Sequence, residues 1–403
     1  MMGVMTRAAA FLREVTVAEL DADPYPVYAR MRREQPVGLV PAVNAWLVTR
    51  YRDVRFVAER PDCFPASTAE PSPVERTFGV PTIITTDGPA HLELRRSFDG
   101  KFRPRRVESY VDELVRPIAE QQADALAGRA TAELMAEYFE PVSARCLAAV
   151  LGLADIDTDT LRRWFHGLNA GATNYEQDPD KQAIADATAA EVDRECVPRL
   201  RRLIEEPDDS TMSHMLHAGT EPGAPRSIDF VLPSLKVALL GGMQEPGHGA
   251  GSVLAGLLTD QRGQLAAVVD DPSLISAAVE EGLRWVAPIG TQFRTAAAEV
   301  ELGGAVIPAG APVCAVLASA GRDEELFAEP DRFDLRRTVQ QQSAFGFGRH
   351  FCSGHSFARH QIRIALEVLL GRFAALHRGP DAEPVAFVGW EFRAPVRLDV
   401  ALR

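Results

Sequence analysis

The sequence predicts a mainly α-helical protein with small β-sheets at its edges, an α+β arrangement that forms one domain over residues 1–403. Three observations support this fold class. Apolar residues recur at helical spacing in long stretches such as 106–127 and 179–204. Residues 228–258 are apolar on most faces, as a helix through the middle of a core must be. Between 294 and 319 the pattern changes to short strand-like runs broken by Gly-Gly and Pro-Ala-Gly, which is typical of hairpins.

The remaining elements follow from the same patterns. The run AWLVT at 45–49 predicts a strand, and helical spacing resumes directly after it. Residues 142–152 and the stretch LISAAVEEGLRWV predict further helices, and a last long helix begins just after residue 352. No repeat, low-complexity run or Gly/Ser linker divides the chain, so we expect a single domain.

Composition and charge exclude several classes of function. The 403-residue chain is 46% hydrophobic and carries a formal net charge of -13, which argues against general nucleic-acid binding. The N-terminal residues have no long apolar core, so we expect neither a signal peptide nor a membrane anchor. The five cysteines are far apart and odd in number, which favours a reducing cytoplasm over a disulfide framework.

One cysteine stands in an unusual setting, the stretch AFGFGRHFCSGHSFARH that begins at residue 344. Gly346, Gly348 and Gly354 let the backbone turn sharply around Cys352. Backbone N–H groups of such a loop, and of the helix start after it, point toward the sulfur and stabilise a thiolate. A buried thiolate held in this way needs a cation.

The identity of that cation stays open from this stretch alone. His350, Cys352 and His355 together resemble a zinc site, but three ligands within six residues and no second pair elsewhere is poor zinc spacing. A haem iron needs only one axial protein ligand, and a thiolate serves in some haem proteins. The other interpretation is a structural cysteine in a tight turn.

The complete loop pattern resembles a known family. Phe345-x-x-Gly348-x-x-x-Cys352-x-Gly354 resembles the haem-binding loop of the cytochrome P-450 family, and Glu281-Gly-Leu-Arg284 resembles its Glu-x-x-Arg helix. Three further stretches resemble the family's other marks in order: DPYPVYARMRREQPV, DGPAHLELRRSFDGKF and FAEPDRF. The resemblance covers about residues 20–400. It implies a bacterial soluble monooxygenase with the family's triangular-prism-like haem domain.

The resemblance also implies how haem b is held. Cys352 is the axial iron ligand, and the absence of Cys-x-x-Cys-His indicates non-covalent binding. Phe345 is expected to pack against the haem beside the sulfur. Glu281, Arg284 and Arg332 are expected to form a buried structural cluster behind the loop. The partners expected for the two haem propionates are His91, Arg95, Arg294 and His350.

The long apolar helix is expected to lie on the opposite face of the haem. Gly241 and Gly242 remove side chains where its backbone passes close to haem and substrate, at about 1 kcal/mol each in helix stability. In the family, an acid and then a Thr follow these glycines, and the two side chains organise water and relay protons. This chain has Gln244 and Glu245 instead, and Pro246 predicts that the helix kinks or opens there. Glu245 is then the expected proton donor, although a water chain without it is the alternative.

The substrate is the least determined feature. The family's pocket positions predict a wall formed by Phe165, Val237, Leu240, Gly241, Gly290, Thr291 and Trp390. Two aromatic rings and small glycines suit a compact aromatic substrate. The stretch GGMQEPGHG also resembles, more weakly, members that O-demethylate guaiacol-like methoxyarenes with release of formaldehyde. The runner-up is a tailoring hydroxylase of a natural product or terpenoid.

The implied partners are dioxygen, a small apolar organic substrate and an electron donor. That donor is a ferredoxin with its reductase, or a fused iron–sulfur flavin reductase, using NAD(P)H. A group of basic residues is expected to dock it near the cysteine loop: Arg95, Arg96, Lys101, Arg103, Arg105, Arg106, Arg349 and Arg359. Two other classes stay open, a peroxide-using or non-oxygenating haem-thiolate enzyme and a non-catalytic ligand-binding protein.

Overall fold

The computed structural model describes residues 10–66, 71–259, 263–373, 375–379 and 382–402. Helices dominate, and short strands form small sheets, so the predicted fold class is confirmed. In chain order the helices are α1 (Val17–Ala22), α2 (Tyr25–Glu34), α3 (Tyr51–Glu59), α4 (Pro73–Phe78), α5 (Gly88–Asp99), α6 (Pro104–Glu108), α7 (Val111–Asp124), α8 (Glu140–Leu151), α9 (Thr158–Ala172), α10 (Pro179–Glu205), α11 (Thr211–His217), α12 (Ile228–Met243), α13 (Glu245–Thr259), α14 (Gln264–Asp270), α15 (Ile275–Trp285), α16 (Leu317–Ala320) and α17 (His355–Arg372).

The strands form one four-stranded sheet and three two-stranded sheets among the described residues. They are β1 (Val37–Val40), β2 (Ala45–Val48), β3 (Thr131–Glu133), β4 (Thr291–Thr295), β5 (Val300–Leu302), β6 (Ala305–Ile307), β7 (Pro312–Val316), β8 (Phe387–Val388), β9 (Ala394–Pro395) and β10 (Asp399–Ala401). The larger sheet has the order β1-β2-β7-β4, with β2 and β7 parallel and its other pairs antiparallel. The predicted strand at 45–49 and the hairpins after 294 are therefore present.

One apolar core runs through the helical part, from Phe11 near the described N-terminus to Leu402. Helix α13 lies inside it and packs against α15 and α17. Glycines on α13 and α15 allow this close packing: a Cβ on Gly249 of α13 or on Gly282 of α15 would meet side-chain carbons of the facing helix within 3.0 Å. Within the described ranges, no helix has both the length and the apolar character needed to cross a membrane.

The long apolar stretch forms two helices rather than one. Helix α12 ends at Met243 and α13 starts at Glu245, with Gln244 between them at φ -113° and ψ -24°. Pro246 is the second residue of α13, where its missing N–H would have no intrahelical acceptor in any case. The predicted opening of the helix at this proline is therefore present, and it lies in the middle of the core.

A buried ion pair connects α15 to the segment that leads to the cysteine loop. The Arg284 guanidinium donates two hydrogen bonds to Glu281, at 2.7 and 2.8 Å, and both side chains are fully buried. Its remaining N–H groups donate to the carbonyl oxygens of Gly321, Pro330 and Arg332. One side chain thus satisfies several backbone groups of the 321–332 segment, and it holds that segment against the helix.

The third member of this cluster is Arg337 and not Arg332. Arg337 Nε donates to Glu281 Oε1 at 3.1 Å and is 11% exposed. The Arg332 side chain is one-third exposed and pairs with Glu329 and Asp334, whereas its backbone carbonyl accepts from Arg284. The prediction for the Arg332 side chain is corrected accordingly.

Loss of the buried pair should strongly destabilise the fold. Because one partner is left as an uncompensated buried charge, we expect Arg284→Met to lower the free energy of unfolding by about 3–5 kcal/mol. Arg337→Met should also destabilise, whereas the matched variant Arg332→Met should cost less than about 1 kcal/mol, as exposed pairs do. Urea unfolding of the three variants measures this. Equal effects of the Arg337 and Arg332 variants would contradict the corrected cluster.

Candidate active site

The cysteine loop is shaped by two glycines in the left-handed region. Gly346 and Gly348 have φ values of +68° and +69°. A Cβ on Gly348 would lie 2.7 Å from the Ala58 carbonyl oxygen, so the loop also approaches helix α3 too closely for a side chain. The chain then returns so that the Cys352 N–H donates to the Phe345 carbonyl at 3.0 Å. These constraints present Cys352 just before α17.

Cys352 is half-buried and has positively charged neighbours. Burial raises the pKa of the Cys352 thiol, and the Gly354 backbone N–H, with Arg95 and Arg359, acts against that rise. Gly354 lies close to the sulfur, since a Cβ built on it would be 3.8 Å from Sγ. A bound cation at the sulfur would favour the thiolate further, because metal ligation by cysteine requires the deprotonated form.

The carboxylate of Asp99 holds the residues on both sides of Cys352, one directly and one through Arg95. Asp99, at the end of α5, accepts from Arg95 Nε at 2.9 Å and from the Ser353 hydroxyl at 2.6 Å. Arg95 in turn donates from Nη1 to the Phe351 carbonyl at 2.8 Å. The residues on either side of Cys352 are thereby connected to one helix turn.

Three buried nitrogen groups near this loop have no hydrogen-bond acceptor among the described residues: Arg294 Nη2, His91 Nε2 and His350 Nδ1. The two imidazole rings lie 4.2 Å apart, and His350 Nε2 is 3.0 Å from Asp87 Oδ1. Burial lowers the pKa of Arg294 to about 10, so its guanidinium is still charged at neutral pH. The same cause lowers the pKa of His91 to about 4, so that ring is neutral.

These groups fit haem. An anionic edge, such as a pair of propionates, would satisfy the unpaired atoms of Arg294, His91 and His350, and Cys352 offers a single sulfur ligand beside them. Arg95 differs from this expectation, since its guanidinium is occupied by Asp99 and Phe351, although it still lines the cavity. Within the described ranges, no group of three His, Cys, Asp or Glu side chains could hold a metal ion, which disfavours the zinc alternative.

A cavity of about 720 Å³ extends from the cysteine loop to the helix break. Cys352, Phe345 and Arg294 line it on one side, and Gly241 and Glu245 on the other. Of the predicted substrate wall, the structure brings Val237, Leu240, Gly241 and Thr291 to the lining. A Cβ on Gly241 would have no atom within 4 Å, so this glycine leaves open space above the cysteine side.

The other predicted wall residues lie behind the lining. Phe165 is buried and packs edge-on against Phe392, a lining residue, with ring centroids 6.5 Å apart. Trp390 packs in the same way against the lining residue Phe293, at 6.3 Å. Gly290 faces the backbone, since its Cβ would lie 2.6 Å from the Trp390 carbonyl oxygen. The two aromatic rings that favoured a flat aromatic substrate therefore do not reach the cavity.

The helix break places one acid in the cavity. Glu245 is 6% exposed, its Oε2 accepts from the Gln244 N–H at 3.2 Å, and its Oε1 has no partner among the described residues. Burial raises the pKa of Glu245 to about 8, so at neutral pH it is mostly protonated and can donate a proton. The Gln244 side chain is buried but is not part of the cavity lining.

Two acid–base groups near the cavity were not predicted from the sequence. His248 lies one turn beyond Glu245. Its backbone N–H donates to the Gln244 carbonyl, and its ring Nε2 is 3.9 Å from Glu140 Oε1. Burial lowers the pKa of His248 to about 4. Glu391 lines the cavity, next in sequence to the predicted Trp390. His248 could have been found from the sequence, because it lies three residues after Glu245 and so on the same helix face. Glu391 could not, because only the orientation of the late loop decides whether Trp390 or Glu391 lines the cavity.

The chain is similar to known proteins over most of its length. The family described as Cytochrome P-450 matches residues 267–386. Cytochrome P-450 107B1 of Saccharopolyspora erythraea is 32% identical over 93% of this chain and 93% of its own length. The 6-deoxyerythronolide B hydroxylase of the same organism is 31% identical over 95% of this chain and 99% of its own. The structure of myxobacterial cytochrome P-450 CYP267B1 in complex with myristic acid superposes with a TM-score of 0.86 at 28% identity, over 97% and 99% of the two chains.

Replacement of Cys352 should remove the spectral signature of thiolate ligation. The reduced wild-type protein with carbon monoxide should show the strongly red-shifted absorption band of thiolate haem, and Cys352→His should lose it because a neutral imidazole replaces the anionic sulfur. Cys63→Ser, a variant of a free cysteine outside the cavity, should keep the band. A red-shifted band in Cys352→His would show that another residue ligates the iron.

Proposed function

The chain belongs to the cytochrome P-450 family, as a monooxygenase that binds haem b through a cysteine thiolate, and we propose that it hydroxylates a large, mainly apolar natural product. The single observation that carries the substrate proposal is the mainly apolar lining of the cavity, which includes Val237, Leu240 and Phe392. Its relative from Saccharopolyspora erythraea is named for hydroxylation of 6-deoxyerythronolide B, which supports a substrate of this size class.

We further propose that the chain acts as one domain in the cytoplasm. The core is continuous from Phe11 to Leu402, which supports one folding unit. All five cysteines are described and carry free thiols, which supports a reducing compartment.

Each residue of the site has a physical role in this proposal. Haem, when bound, supplies the iron centre at which dioxygen is activated. Cys352 would hold the iron, and Arg294, His91 and His350 would bind the propionates through the unpaired nitrogens described above. Gly241 leaves room for oxygen and substrate beside the helix, whereas the absent side chain of Gly242 leaves space for Leu147. Glu245 would deliver protons from its unpaired carboxyl oxygen, in place of the acid and alcohol that the family has at these positions.

A ligand screen tests the substrate class. Purified haem-loaded protein should change from low to high spin with large apolar macrocycles or steroids, because such ligands fill the cavity and displace water. Small methoxyarenes such as guaiacol should bind weakly and release little formaldehyde on turnover. Tight guaiacol binding with stoichiometric formaldehyde would instead establish O-demethylation and overturn the proposal. Turnover with peroxide alone, and none with a ferredoxin system, would indicate the peroxide-using alternative.

Removal of the Glu245 proton should uncouple the reaction. Glu245→Gln keeps the shape of the side chain but cannot donate a carboxylic proton, so we expect reductant consumption to continue while product falls and hydrogen peroxide rises. In the wild type, coupling should decrease as pH rises through about 8, because the ionised carboxylate has no proton to give. The variant should lack this pH step, while its affinity for substrate stays the same. Unchanged coupling in the variant would rule out the relay.

The proposed electron-donor docking surface is smaller than the sequence indicated. Five of the eight predicted cations are ion-paired within the protein: Arg95 with Asp99, Arg96 with Glu93, Lys101 and Arg106 with Asp209, and Arg359 with Glu280. Arg103, Arg105 and Arg349 are exposed and have no ion pair among the described residues. These three define the surface that we propose for an acidic ferredoxin.

Charge reversal on this surface should weaken electron transfer. The pair Arg103→Glu and Arg349→Glu should raise KM for a ferredoxin at least severalfold, and added salt should raise it in the wild type, because screened charges attract less. Arg194→Glu, an exposed arginine on α10, is the matched control and should leave KM unchanged. If the paired variant and the control give the same KM, docking takes place elsewhere.

A further inference from the structure

Glu391 places a second buried carboxyl in the cavity, and neither the sequence resemblance nor the mechanism uses it. The residue is 7% exposed and lines the cavity. Its Oε2 accepts a hydrogen bond from the Tyr175 hydroxyl at 3.4 Å, whereas Oε1 has no partner among the described residues. The carboxyl therefore has one acceptor atom without a hydrogen-bond partner among the described residues, at the wall of the cavity.

The position of this carboxyl is held by its surroundings. The Gly290 N–H donates to the Glu391 carbonyl at 2.7 Å, which ties the late loop to the start of β4. The Tyr175 ring, whose hydroxyl contacts Oε2, stacks on Phe293 with centroids 5.0 Å apart. The carboxyl is thus fixed from the backbone side and from the Tyr175 side, and it is pre-oriented rather than free to turn away.

The charges around Glu391 do not compensate it. Asp21 and Glu176 face it with like charge, and its other titratable neighbours are Tyr28, Tyr175 and Cys314. Burial, together with these acids, raises the pKa of Glu391 to about 8.

Arg393, two residues along the chain, and Arg76 are occupied elsewhere. Arg393 donates to the carbonyl oxygens of Gly389 and Asp21 and lies over the Tyr25 ring. Arg76, which also lines the cavity, donates to the carbonyl oxygens of Pro71 and Asn174. A buried carboxyl with no cation is costly unless a ligand supplies one.

We propose that Glu391 is a substrate-specificity residue that binds a protonated amine of the substrate through its open Oε1. An ammonium group supplies both the donor and the positive charge that the carboxyl lacks, and ion pairing would draw the carboxyl into its ionised form. The body of the substrate would lie on the apolar wall of Val237, Leu240 and Phe392. This inference rests on the proposed function, because it names the substrate class of the same cavity.

Three probes of one shape test the proposal: N,N-dimethyloctylamine, its carbon isostere 2-methyldecane, and the neutral alcohol 2-methyl-2-decanol. Their dissociation constants are measured at pH 7 by spectral titration of the haem-loaded wild type and variants. The amine should bind at least about tenfold more tightly than both neutral probes, the range expected of a charged hydrogen bond. In Glu391→Gln this preference should vanish while the affinity for the alkane stays the same. Glu391→Asp should keep part of it.

The variant Glu245→Gln shows which of the two buried acids binds the amine, since Glu245 lines the same cavity as Glu391. The amine preference should survive in that variant; its loss there, with retention in Glu391→Gln, would assign the cation to Glu245 and overturn the proposal. Equal affinity for all three probes in the wild type, or a preference only for the alcohol, would overturn it as well. The carbon monoxide band of each variant reports folding and haem ligation separately, so failure of the amine proposal is distinguishable from failure of the monooxygenase assignment.

Discussion

The arrangement of this site depends on one buried ion pair, between Glu281 and Arg284. Arg284 uses its guanidinium to satisfy carbonyl oxygens of the segment that leads from α16 toward the cysteine loop, and Glu281 neutralises the charge. Without the pair, several backbone groups would be buried without partners. The segment, and with it the approach of the loop to α15, would then lose its main polar attachment. The pair belongs to the scaffold, yet the location of Cys352 follows from it.

The site itself is built from polar groups that are costly in the absence of a ligand. Arg294, His91 and His350 keep unpaired nitrogens near the cysteine loop, and Glu245 and Glu391 keep unpaired oxygens. Each would destabilise the folded protein if nothing were bound. The nitrogen groups suit an anionic cofactor edge, and the two acids suit oxygen chemistry and substrate. Part of the stability that the mainly apolar core provides therefore offsets the cost of these unpaired groups.

Much of the fold could be predicted from the sequence, because apolar spacing expresses it, whereas the cysteine side of the site was expected from the family resemblance. The loop from Phe345 to Gly354, the Glu281–Arg284 helix face and the opening at Pro246 all depend on local geometry. Arg337 could not be distinguished from Arg332, since both lie in an irregular segment where no periodicity indicates which side chain turns inward. Trp390 and Glu391 are adjacent, and the one that faces the cavity is decided by the pairing of Ile289 with Phe392 across two distant segments. Such long-range pairing has no local signature.

The attachment of Asp99 to both flanks of Cys352 has a mechanical consequence. Helix α5 carries Arg95 and ends at Asp99, and its other side is anchored to the 215–226 region by the ion pair of Glu93 with Arg226. Through these contacts α5 connects the 215–226 region to the residues beside the sulfur. A small tilt of the helix would move Phe351 and Ser353 together and so shift the sulfur as a unit, without bending the loop around it. Strain applied to the chain around Arg226 would in this way reach Cys352 through Asp99 and Arg95.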